Sequence, residues 1–288
     1  MARILILGAD GMVGHIARIY LSEKGHEVLA VARSNSHDWS YLDVENEVAL
    51  LSYIAKTRPQ IVVNCIGILI KDSEQDPERA IRLNSLLPQV LSRMGDSMGY
   101  RHIHVSSDCV FSGDHGPYSE GDRRDAEEVY GRTKALGEID NDRDLTIRTS
   151  KVGPELKPGG SGLFNWFMTQ HGTIKGYTKA LWGGVTTLEM AKAIDVAIVE
   201  KTTGLVHLTN GTPISKYDLL SLFKEIWRRD DIIIEKDDTK SSDRSLVCVR
   251  KDFKYRVPSY RTMLEEMKSF MSAHQELYTF YEKNSTSN

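Results

Sequence analysis

The first 32 residues constrain the fold most strongly, because they read as one β-α-β unit. A short apolar run of strand length, Arg-Ile-Leu-Ile-Leu at positions 3–7, leads directly into Gly-Ala-Asp-Gly-Met-Val-Gly at positions 8–14. Apolar residues then recur at helical spacing over positions 12–24. Positions 28–32 form a second apolar run. Two buried strands joined by a helix are the unit from which parallel α/β sheets are built.

The glycine-rich loop predicts a dinucleotide site. Gly8, Gly11 and Gly14 are spaced G-x-x-G-x-x-G, which shifts one glycine relative to the G-x-G-x-x-G fingerprint. Glycines between a strand and a helix let the backbone approach a pyrophosphate at the helix N-terminus. A tight turn that binds nothing is the structural alternative. The residues predicted to bind the cofactor in this loop are Gly8, Asp10, Gly11, Met12, Val13 and Gly14.

Strand and helix patterns continue to alternate over the first 150 residues. Predicted helices cover residues 44–56, 76–98 and 126–139, and predicted strands cover residues 60–65, 101–105 and 145–148. This alternation predicts an α/β fold with a doubly wound parallel sheet, a Rossmann fold, over residues 1–150.

Proline and glycine residues accumulate after position 150, and the regular alternation ends there. We expect a smaller C-terminal α/β domain over residues 151–288 that binds the substrate, with a helix at 187–201 returning to the first domain. The other predicted elements of the smaller domain are strands 205–208 and 232–234 and helices 215–228 and 259–282. Residues 284–288 are expected to form a frayed tail.

The charge of the chain excludes some classes of partner. A net charge of −3 and a pI near 6.3 predict neither a nucleic-acid nor a membrane partner. The three cysteines are far apart and show no C-x-x-C pairing, which favours a reduced, cytoplasmic protein over a disulfide scaffold. No metal site is readable. The N-terminal apolar run is too short for a signal peptide or a membrane span.

The end of the second predicted strand carries information about the cofactor. An acidic residue there would accept from a ribose 2′-hydroxyl and favour NAD, whereas this chain has Arg33 followed by Ser34. Arg33 can neutralise a 2′-phosphate and Ser34 can donate to it, so NADP is the predicted cofactor and NADH is left open. The alternative is an exposed arginine without a ligand.

Further predicted cofactor contacts lie at the ends of the next strands. Asp43 is predicted to accept from the adenine amino group, with Val44 beside it, although Asp43 is equally suited to cap the following helix. The backbone after the fourth strand is predicted to line the nicotinamide ribose, through Cys65, Ile66 and Gly67.

A serine, a tyrosine and a lysine are predicted to deliver the proton. Tyr130 and Lys134 lie four positions apart on one face of a helix, where the ammonium would lower the pKa of the phenol. Ser107 follows a predicted strand and could bond the same substrate oxygen. The spacing alone is weak, because Tyr20 and Lys24 share it. Only the first pair follows a loop that leaves the strand of Ser107.

Together these motifs resemble the extended short-chain dehydrogenase/reductase family. Within it, residues 105–113 (Val-Ser-Ser-Asp-Cys-Val-Phe-Ser-Gly), 148–150 (Arg-Thr-Ser) and 184–187 (Gly-Val-Thr-Thr) are similar to the dTDP-4-dehydrorhamnose reductase branch. The resemblance implies NAD(P)H-dependent reduction of the 4-keto group of a nucleotide-linked 4-keto-6-deoxy sugar, for cell-surface polysaccharide precursors. It also implies that Tyr130 donates the proton, Lys134 holds the nicotinamide ribose and Ser107 polarises the keto oxygen.

Three positions depart from that branch. Ser107 stands where that branch usually has threonine, Cys109 where it often has tyrosine, and Lys151 where an aromatic residue that packs on the sugar is common. Lys151 leaves the sugar open, and an N-acetylated or UDP-linked sugar fits as well. The related 4,6-dehydratases carry a glutamate at position 109, which this chain lacks, whereas an epimerase would use the same residues. A non-catalytic NADP-binding regulatory subunit, like the β subunit of methionine adenosyltransferase, is the alternative from another class.

The substrate contacts are predicted from charge, aromatic character and proximity to the catalytic strand. They are Lys71, Ser107, Asp108, Lys151, Trp182 and Arg244. Each of the cations could instead be solvated, and a tryptophan is commonly a core residue. The resemblance leaves both a homodimer and a magnesium ion at its interface open, and no carboxylate cluster commits the sequence to either.

Overall fold

A computed structural model describes residues 1–34, 39–157 and 159–283 of the chain; the predicted tail at 284–288 lies outside them. The strands of the described residues are β1 (Arg3–Leu7), β2 (Glu27–Ala32), β3 (Ser40–Tyr41), β4 (Ile61–Asn64), β5 (Arg101–Val105), β6 (Leu145–Arg148), β7 (Lys151–Val152), β8 (Gly172–Trp182), β9 (Val185–Thr186), β10 (Gly204–His207), β11 (Ile214–Ser215) and β12 (Ile232–Asp243).

The α-helices are numbered along the chain in the same way. They are α1 (Gly14–Glu23), α2 (Glu47–Thr57), α3 (Ile70–Gln75), α4 (Pro77–Ala80), α5 (Leu87–Met98), α6 (Val129–Gly137), α7 (Leu163–Met168), α8 (Thr187–Val199), α9 (Lys216–Trp227), α10 (Tyr260–Ala273) and α11 (Thr279–Lys283). No helix of the described residues is long and apolar enough to cross a membrane.

Seven parallel strands form the main sheet in the order β10-β6-β5-β4-β1-β2-β3. The predicted doubly wound parallel sheet is confirmed. The order reverses between β1 and β4, because the chain first adds β2 and β3 on one side and then β4 to β6 on the other. Ligands of open α/β sheets bind in the crevice outside the carboxyl ends of the strands at such a reversal.

Apolar layers cover both faces of this sheet. Ile4 and Ile6 of β1 point into the larger core with residues of α1 and α8, whereas Leu5 and Leu7 point into a second core with residues of α2 and α5. Strands buried on both faces read as continuous apolar runs, which is why β1 was recognisable from sequence. Helix α8 packs beside α1.

Strand β10 corrects one prediction for the C-terminal half. The sequence predicts a strand at 205–208 in the smaller domain, but Gly204–His207 pairs in parallel with β6 and forms the edge of the main sheet. An apolar strand of four residues does not indicate which of two sheets it joins, because both offer edges. The chain after residue 150 therefore contributes to the main sheet through α8 and β10.

A separate three-stranded sheet has the order β11-β8-β12. The sequence did not predict β8, because Gly172–Trp182 mixes glycines and lysines with apolar residues. Predicted strand 232–234 is the start of β12, which runs to Asp243 through a polar, mostly exposed segment. Pairing with β8 extends it, with a register shift between Asp237 and Ser241.

Two helix boundaries also differ from the predictions. Asn46, not Asp43, caps α2 by accepting from the Ala49 amide at 3.0 Å, while the Asp43 carboxylate accepts from the Glu45 amide at 3.1 Å. The helix predicted over 259–282 ends at Ala273, because His274 leaves the helical region at φ −126° before a short 3₁₀ turn and α11.

Candidate active site

The glycine loop has the geometry that a bound pyrophosphate needs. Gly8 adopts φ +83°, a conformation that side chains disfavour. A Cβ atom on Gly14 would collide with the Gly8 carbonyl, so only glycine lets α1 start this close to β1. The N-terminus of α1 has no side-chain cap, so its amides are available to an anion. The loop therefore fits a dinucleotide.

A cleft of about 150 Å³ extends from this loop along the carboxyl ends of β1, β2 and β4. It contains eight of the residues predicted to bind the cofactor, namely Gly8, Asp10, Gly11, Arg33, Val44, Cys65, Ile66 and Gly67. Ser34 lies at its rim and donates to Asp10 at 3.3 Å. Val13 instead packs into the larger core, and Asp43, Met12 and Gly14 do not line the cleft.

A group of three arginines surrounds one carboxylate at the outer end of this cleft. Glu45 accepts from Arg79 Nε at 3.0 Å and Nη2 at 2.9 Å. Arg33 Nη1 lies 3.5 Å from the same carboxylate, and Arg82 Nε lies 3.7 Å from it. The sequence singled out Arg33 alone, because Arg79 and Arg82 belong to a helical segment that follows another strand. The cleft thus ends in excess positive charge, which fits a phosphate-bearing ribose.

Ser107 and Tyr130 meet at the carboxyl end of β5. The Ser107 hydroxyl accepts from the Cys109 amide at 3.2 Å and donates to Asp108 Oδ1 at 3.2 Å. Tyr130, in the first turn of α6, is buried. Burial raises the pKa of the Tyr130 phenol well above its ordinary value, and a hydrogen bond with Ser107 offsets only part of that rise. The phenol is held protonated, as a proton donor must be.

The Lys134 ammonium is held at the carboxyl end of strand β5. It donates to the Val105 carbonyl at 2.8 Å and lies 3.1 Å from His104 Nε2. Burial is the largest cause that lowers its pKa to about 7, followed by the charge of Lys151. The prediction that Lys134 lowers the pKa of Tyr130 is wrong for this structure, because burial of the phenol outweighs any effect of the ammonium.

Lys151 brings a second ammonium to the same strand end. Its Nζ donates to the Ser106 carbonyl at 2.7 Å, one residue beyond the carbonyl that binds Lys134. Burial lowers the pKa of Lys151, which the charge of Asp108 partly offsets. Position 151 therefore places a cation, and not a flat aromatic face, beside the catalytic residues.

Asn84 connects the cofactor cleft to α6. It is fully buried in a π-helical turn (Ile81–Leu86) between α4 and α5. Its Oδ1 accepts from the Ile68 amide at 2.8 Å, and its Nδ2 donates to the Ile68 carbonyl at 3.0 Å and to Thr133 Oγ1 at 3.2 Å. From the sequence alone, a solvated position for Asn84 fits at least as well as a buried hydrogen-bonding role. A polar residue inside an otherwise amphipathic helix was the only signal for this role.

A second cavity of about 450 Å³ opens on the other side of Asp108 and Cys109; we call it the substrate pocket. Predicted residues Asp108, Trp182 and Arg244 line it. The sequence missed most of its other polar and aromatic lining, because most of those residues come from β8, α9 and β12. The full set is Ser150, Trp166, Lys175, Tyr177, Lys216, Lys240 and Ser242.

Cations outnumber carboxylates among the charged residues that line the substrate pocket. Lys216 Nζ lies 5.7 Å from the centre of the Trp182 ring, and Lys240 Nζ lies 5.6 Å from the centre of the Tyr177 ring. Arg244 is paired with Glu128 at 3.2 Å and also donates to the Ser112 carbonyl. Ammonium groups beside aromatic rings suit a ligand that carries both negative charge and flat rings.

Lys71, a predicted substrate contact, and Tyr20, the tyrosine with the same spacing to a lysine as Tyr130, lie outside both cavities. Lys71 is exposed on α3 and lines neither cavity. Tyr20, the competing tyrosine, packs against the larger core from α1, with Lys24 Nζ 5.2 Å from its ring centre. The described residues contain no group of three or more His, Cys, Asp or Glu side chains that could hold a metal ion.

A network of buried ionic side chains contacts the end of β5 through Ser106. Glu138 Oε1 accepts from Ser106 Oγ at 2.7 Å and from Arg148 Nε at 2.8 Å. Glu138 Oε2 accepts from Arg148 Nη2 at 2.6 Å. Arg148 also contacts His207 Nε2 at 2.7 Å. The network joins β5, β6, β10 and the end of α6, and so fixes the backbone that carries Ser107.

Comparison with known proteins gives one family match over most of the chain. The family model described as RmlD substrate binding domain matches residues 2–231. The dTDP-4-dehydrorhamnose reductase of Mycolicibacterium smegmatis is 34% identical over 139 residues, which are 47% of this chain and 40% of that protein. Methionine adenosyltransferase 2 subunit beta of Xenopus tropicalis is 31% identical over 138 residues, 47% of this chain and 41% of that protein. The chain spans less than half of the length of either relative.

A solved structure shares the fold over nearly the whole chain. The dTDP-4-dehydrorhamnose reductase of Bacillus anthracis, solved in complex with NADP, has a TM-score of 0.81 at 17% identity. The similarity covers 93% of this chain and 99% of that chain. The two proteins therefore have the same architecture.

Proposed function

Because the chain belongs to the RmlD substrate binding domain family, we propose that it reduces the 4-keto group of a nucleotide-linked 4-keto-6-deoxy sugar with NADPH. The observation that carries the proposal is the meeting of the Ser107 and Tyr130 side chains beside the substrate pocket, with Lys134 bound to the Val105 carbonyl at the end of the same strand. The product would serve the synthesis of cell-surface polysaccharides.

Each residue of the triad has a separate task in this reaction. Tyr130 donates a proton to the oxygen that becomes an alcohol, and its raised pKa keeps that proton in place until negative charge develops. Ser107 bonds the same oxygen and orients the keto group. Lys134, fixed on the Val105 carbonyl, binds the nicotinamide ribose. NADPH supplies the hydride when it is bound.

The choice of NADPH rests on the outer end of the cofactor cleft. Arg33 replaces the acidic residue that would accept from a free 2′-hydroxyl, and the arginines around Glu45 add positive charge. The Bacillus anthracis reductase, which shares the fold, was solved with NADP.

The substrate pocket supports a nucleoside diphosphate sugar. Lys216 and Lys240 are placed to bind the diphosphate, and Trp182 and Tyr177 offer rings for the base or the sugar. Both dTDP and UDP fit this description. Dehydration is disfavoured, because Cys109 stands where a 4,6-dehydratase carries a glutamate and no acid follows Asp108.

The decisive experiment is a screen of dTDP- and UDP-linked 4-keto-6-deoxy sugars with NADPH and NADH, followed at 340 nm. We expect NADPH oxidation with at least one sugar. We expect the Tyr130→Phe variant to lose activity about a thousandfold while it binds NADPH normally. Tyr20→Phe, which removes a hydroxyl from α1, serves as the matched control and should remain active. Equal activity of the two variants would refute the assignment of Tyr130.

A regulatory subunit is the second candidate, because the β subunit of a methionine adenosyltransferase is 31% identical over 138 residues. Such a protein would bind NADPH and a partner protein without turnover. The complete triad argues against it, and so does the cationic substrate pocket. Failure of every nucleotide-linked 4-keto sugar in the screen, together with tight NADPH binding and a stable complex with another protein, would favour this candidate. Interconversion of 4-epimers without net NADPH oxidation would instead indicate an epimerase.

We also propose that the protein is cytoplasmic and forms homodimers. The three cysteines are free, as expected in a reducing compartment. Sedimentation equilibrium of the purified protein measures its mass, and a mass of one chain at micromolar concentration would exclude the dimer.

A further inference from the structure

Two ammonium groups lie side by side at the carboxyl end of β5. Lys134 donates to the Val105 carbonyl at 2.8 Å and Lys151 to the next carbonyl, that of Ser106, at 2.7 Å. The two lysines come from different elements, α6 and β7. Their charges are close enough that Lys151 lowers the pKa of Lys134. Two like charges held together in a partly buried site repel each other, so the arrangement does not stabilise the fold.

Neither ammonium forms an ion pair within the described part of the chain. The acidic group with the largest effect on the pKa of Lys134 is Glu138, whose carboxylate already pairs with Arg148. The one with the largest effect on the pKa of Lys151 is Asp108, which accepts from Ser107. The end of β5 therefore carries positive charge. Backbone carbonyls accept hydrogen bonds from the two ammonium groups, but no carboxylate of the described residues forms an ion pair with them.

Lys151 stands where the two cavities meet. Lys151 follows Ser150, which lines the substrate pocket, and its Nζ is bound two residues before Asp108 of the same pocket. Strand β4 pairs with β5 with Asn64 opposite His104, so Cys65 of the cofactor cleft lies next to this strand end. A hydride can pass only between groups in contact. The reactive ring of a dinucleotide bound in the cleft must therefore face the substrate across this junction.

We propose that Lys151 makes the site bind NADPH in preference to NADP⁺. The inference rests on the proposed function, because it requires that a nicotinamide dinucleotide occupy the cleft. The nicotinamide ring is positively charged when oxidised and neutral when reduced. A fixed ammonium at the junction repels only the oxidised form. Lys151 would then favour the substrate form of the cofactor and promote release of the product form.

An aromatic residue at position 151 could not have this effect, because a neutral ring carries no net charge. The lysine at position 151 therefore changes the relative affinity of the site for NADPH and NADP⁺, in addition to any contact that it makes with the sugar.

The test measures the dissociation constants of NADPH and NADP⁺ for the full-length protein without substrate. NADPH is followed by its fluorescence, and NADP⁺ by competition. The Lys151→Gln variant removes the charge but keeps an N–H donor for the Ser106 carbonyl. Lys151→Arg keeps the charge. Lys71→Met removes a lysine from an exposed position on α3 and controls for the change in net charge.

We expect the wild-type protein to bind NADPH more tightly than NADP⁺. In Lys151→Gln the ratio of the two dissociation constants, NADP⁺ over NADPH, should fall about tenfold, since a unit charge a few ångströms away acts strongly in a partly desolvated site. Lys151→Arg and Lys71→Met should keep the wild-type ratio within about twofold, because neither changes the charge at the junction.

Three results would overturn the proposal while leaving the proposed function intact. They are an unchanged ratio in Lys151→Gln, the same loss in Lys151→Arg as in Lys151→Gln, and a wild-type protein that binds NADP⁺ as tightly as NADPH. Absence of binding of both dinucleotides to the wild-type protein would instead refute the proposed function, and the inference with it.

Discussion

At the scale of single residues, the cofactor cleft shows how one side chain acquires its role from its neighbours. Arg33 is exposed and, taken alone, resembles a solvated arginine. The Glu45 carboxylate lies 3.5 Å from its guanidinium and is itself fixed by Arg79. A flexible side chain is thereby held at the end of the cleft, where the ribose of a dinucleotide would lie. Surface ion pairs contribute little to stability, so the value of this one lies in positioning.

The Arg33→Ala variant tests the proposed preference for NADPH. We expect the dissociation constant of NADPH to rise about ten- to a hundredfold, because a charge-assisted hydrogen bond to a phosphate is lost. The dissociation constant of NADH should change less than about twofold. Both are measured by fluorescence titration. Arg93→Ala removes an exposed arginine from α5 and serves as the control. Equal weakening of both dinucleotides would show that Arg33 does not bind the 2′-phosphate.

At the scale of secondary-structure elements, the junction of β5, β6 and α6 depends on one buried carboxylate. Glu138 follows the last residue of α6 and accepts hydrogen bonds from Ser106 and Arg148, both of which are buried. Asn84 provides the corresponding link between α6 and the loop at Ile68. Helix α6 is therefore tied to the sheet at both sides, and Tyr130 and Lys134 keep a fixed position relative to Ser107.

Removal of the Glu138 charge should therefore strongly destabilise the fold. We expect Glu138→Gln to lower the free energy of unfolding by about 3–5 kcal/mol, because it leaves the Arg148 guanidinium buried without a counter-charge. Urea denaturation followed by circular dichroism provides the measurement. Glu235→Gln on the exposed side of β12 is the control.

The double variant Glu138→Leu with Arg148→Met separates the two possible causes of this loss. It should recover most of the lost stability, because no unpaired charge remains. A double variant as unstable as Glu138→Gln would show that the ion pair is not the source of the effect.

At the scale of the whole molecule, the core beside the active site contains histidines that must stay neutral. Burial lowers the pKa of His102 to about 4, and it lowers the pKa of His207 to about 4 as well. The pKa of His104 is lowered well below its ordinary value for the same reason. Neither ring nitrogen of His102 has a hydrogen-bond partner in the described part of the chain. Protonation of these rings therefore favours unfolding.

The sign of the resulting pH dependence follows from the lowered pKa values. Because the unfolded chain binds protons near pH 6.5 and the folded protein only near pH 4, stability is complete above pH 6.5 and falls as the pH decreases toward 4. Each such histidine should cost about 2 kcal/mol at pH 5 relative to pH 7. Urea denaturation at the two pH values measures this loss.

A variant isolates the contribution of His102. His102→Leu should make the free energy of unfolding less dependent on pH by about 2 kcal/mol over this interval, and it should not destabilise the protein at pH 7, because no hydrogen bond is lost. His115→Leu, in the loop after β5, provides a comparison. The same pH dependence in the wild-type protein and in His102→Leu would contradict the assignment of this histidine.

The sequence by itself determined the family and the main sheet apart from its edge strand β10. Strands buried on both faces, such as β1, are continuous apolar runs, and the glycine loop must stand at the end of one of them. The resemblance to the RmlD-like branch of the extended short-chain dehydrogenase/reductase family is confirmed by the family match over residues 2–231. These features are local, so a one-dimensional pattern is sufficient to recognise them.

Only the tertiary structure decided what surrounds the predicted triad. Strand β8 carries no clear pattern and exists because β11 and β12 pair with it, so its contribution to the substrate pocket was invisible. Lys216 comes from a helix more than eighty positions after Tyr130. Lys151 meets Lys134 because two neighbouring carbonyls of one strand bind them. Long-range strand pairing sets these contacts, and burial lowers the pKa of Lys134. The spacing of residues along the chain encodes neither the pairing nor the burial.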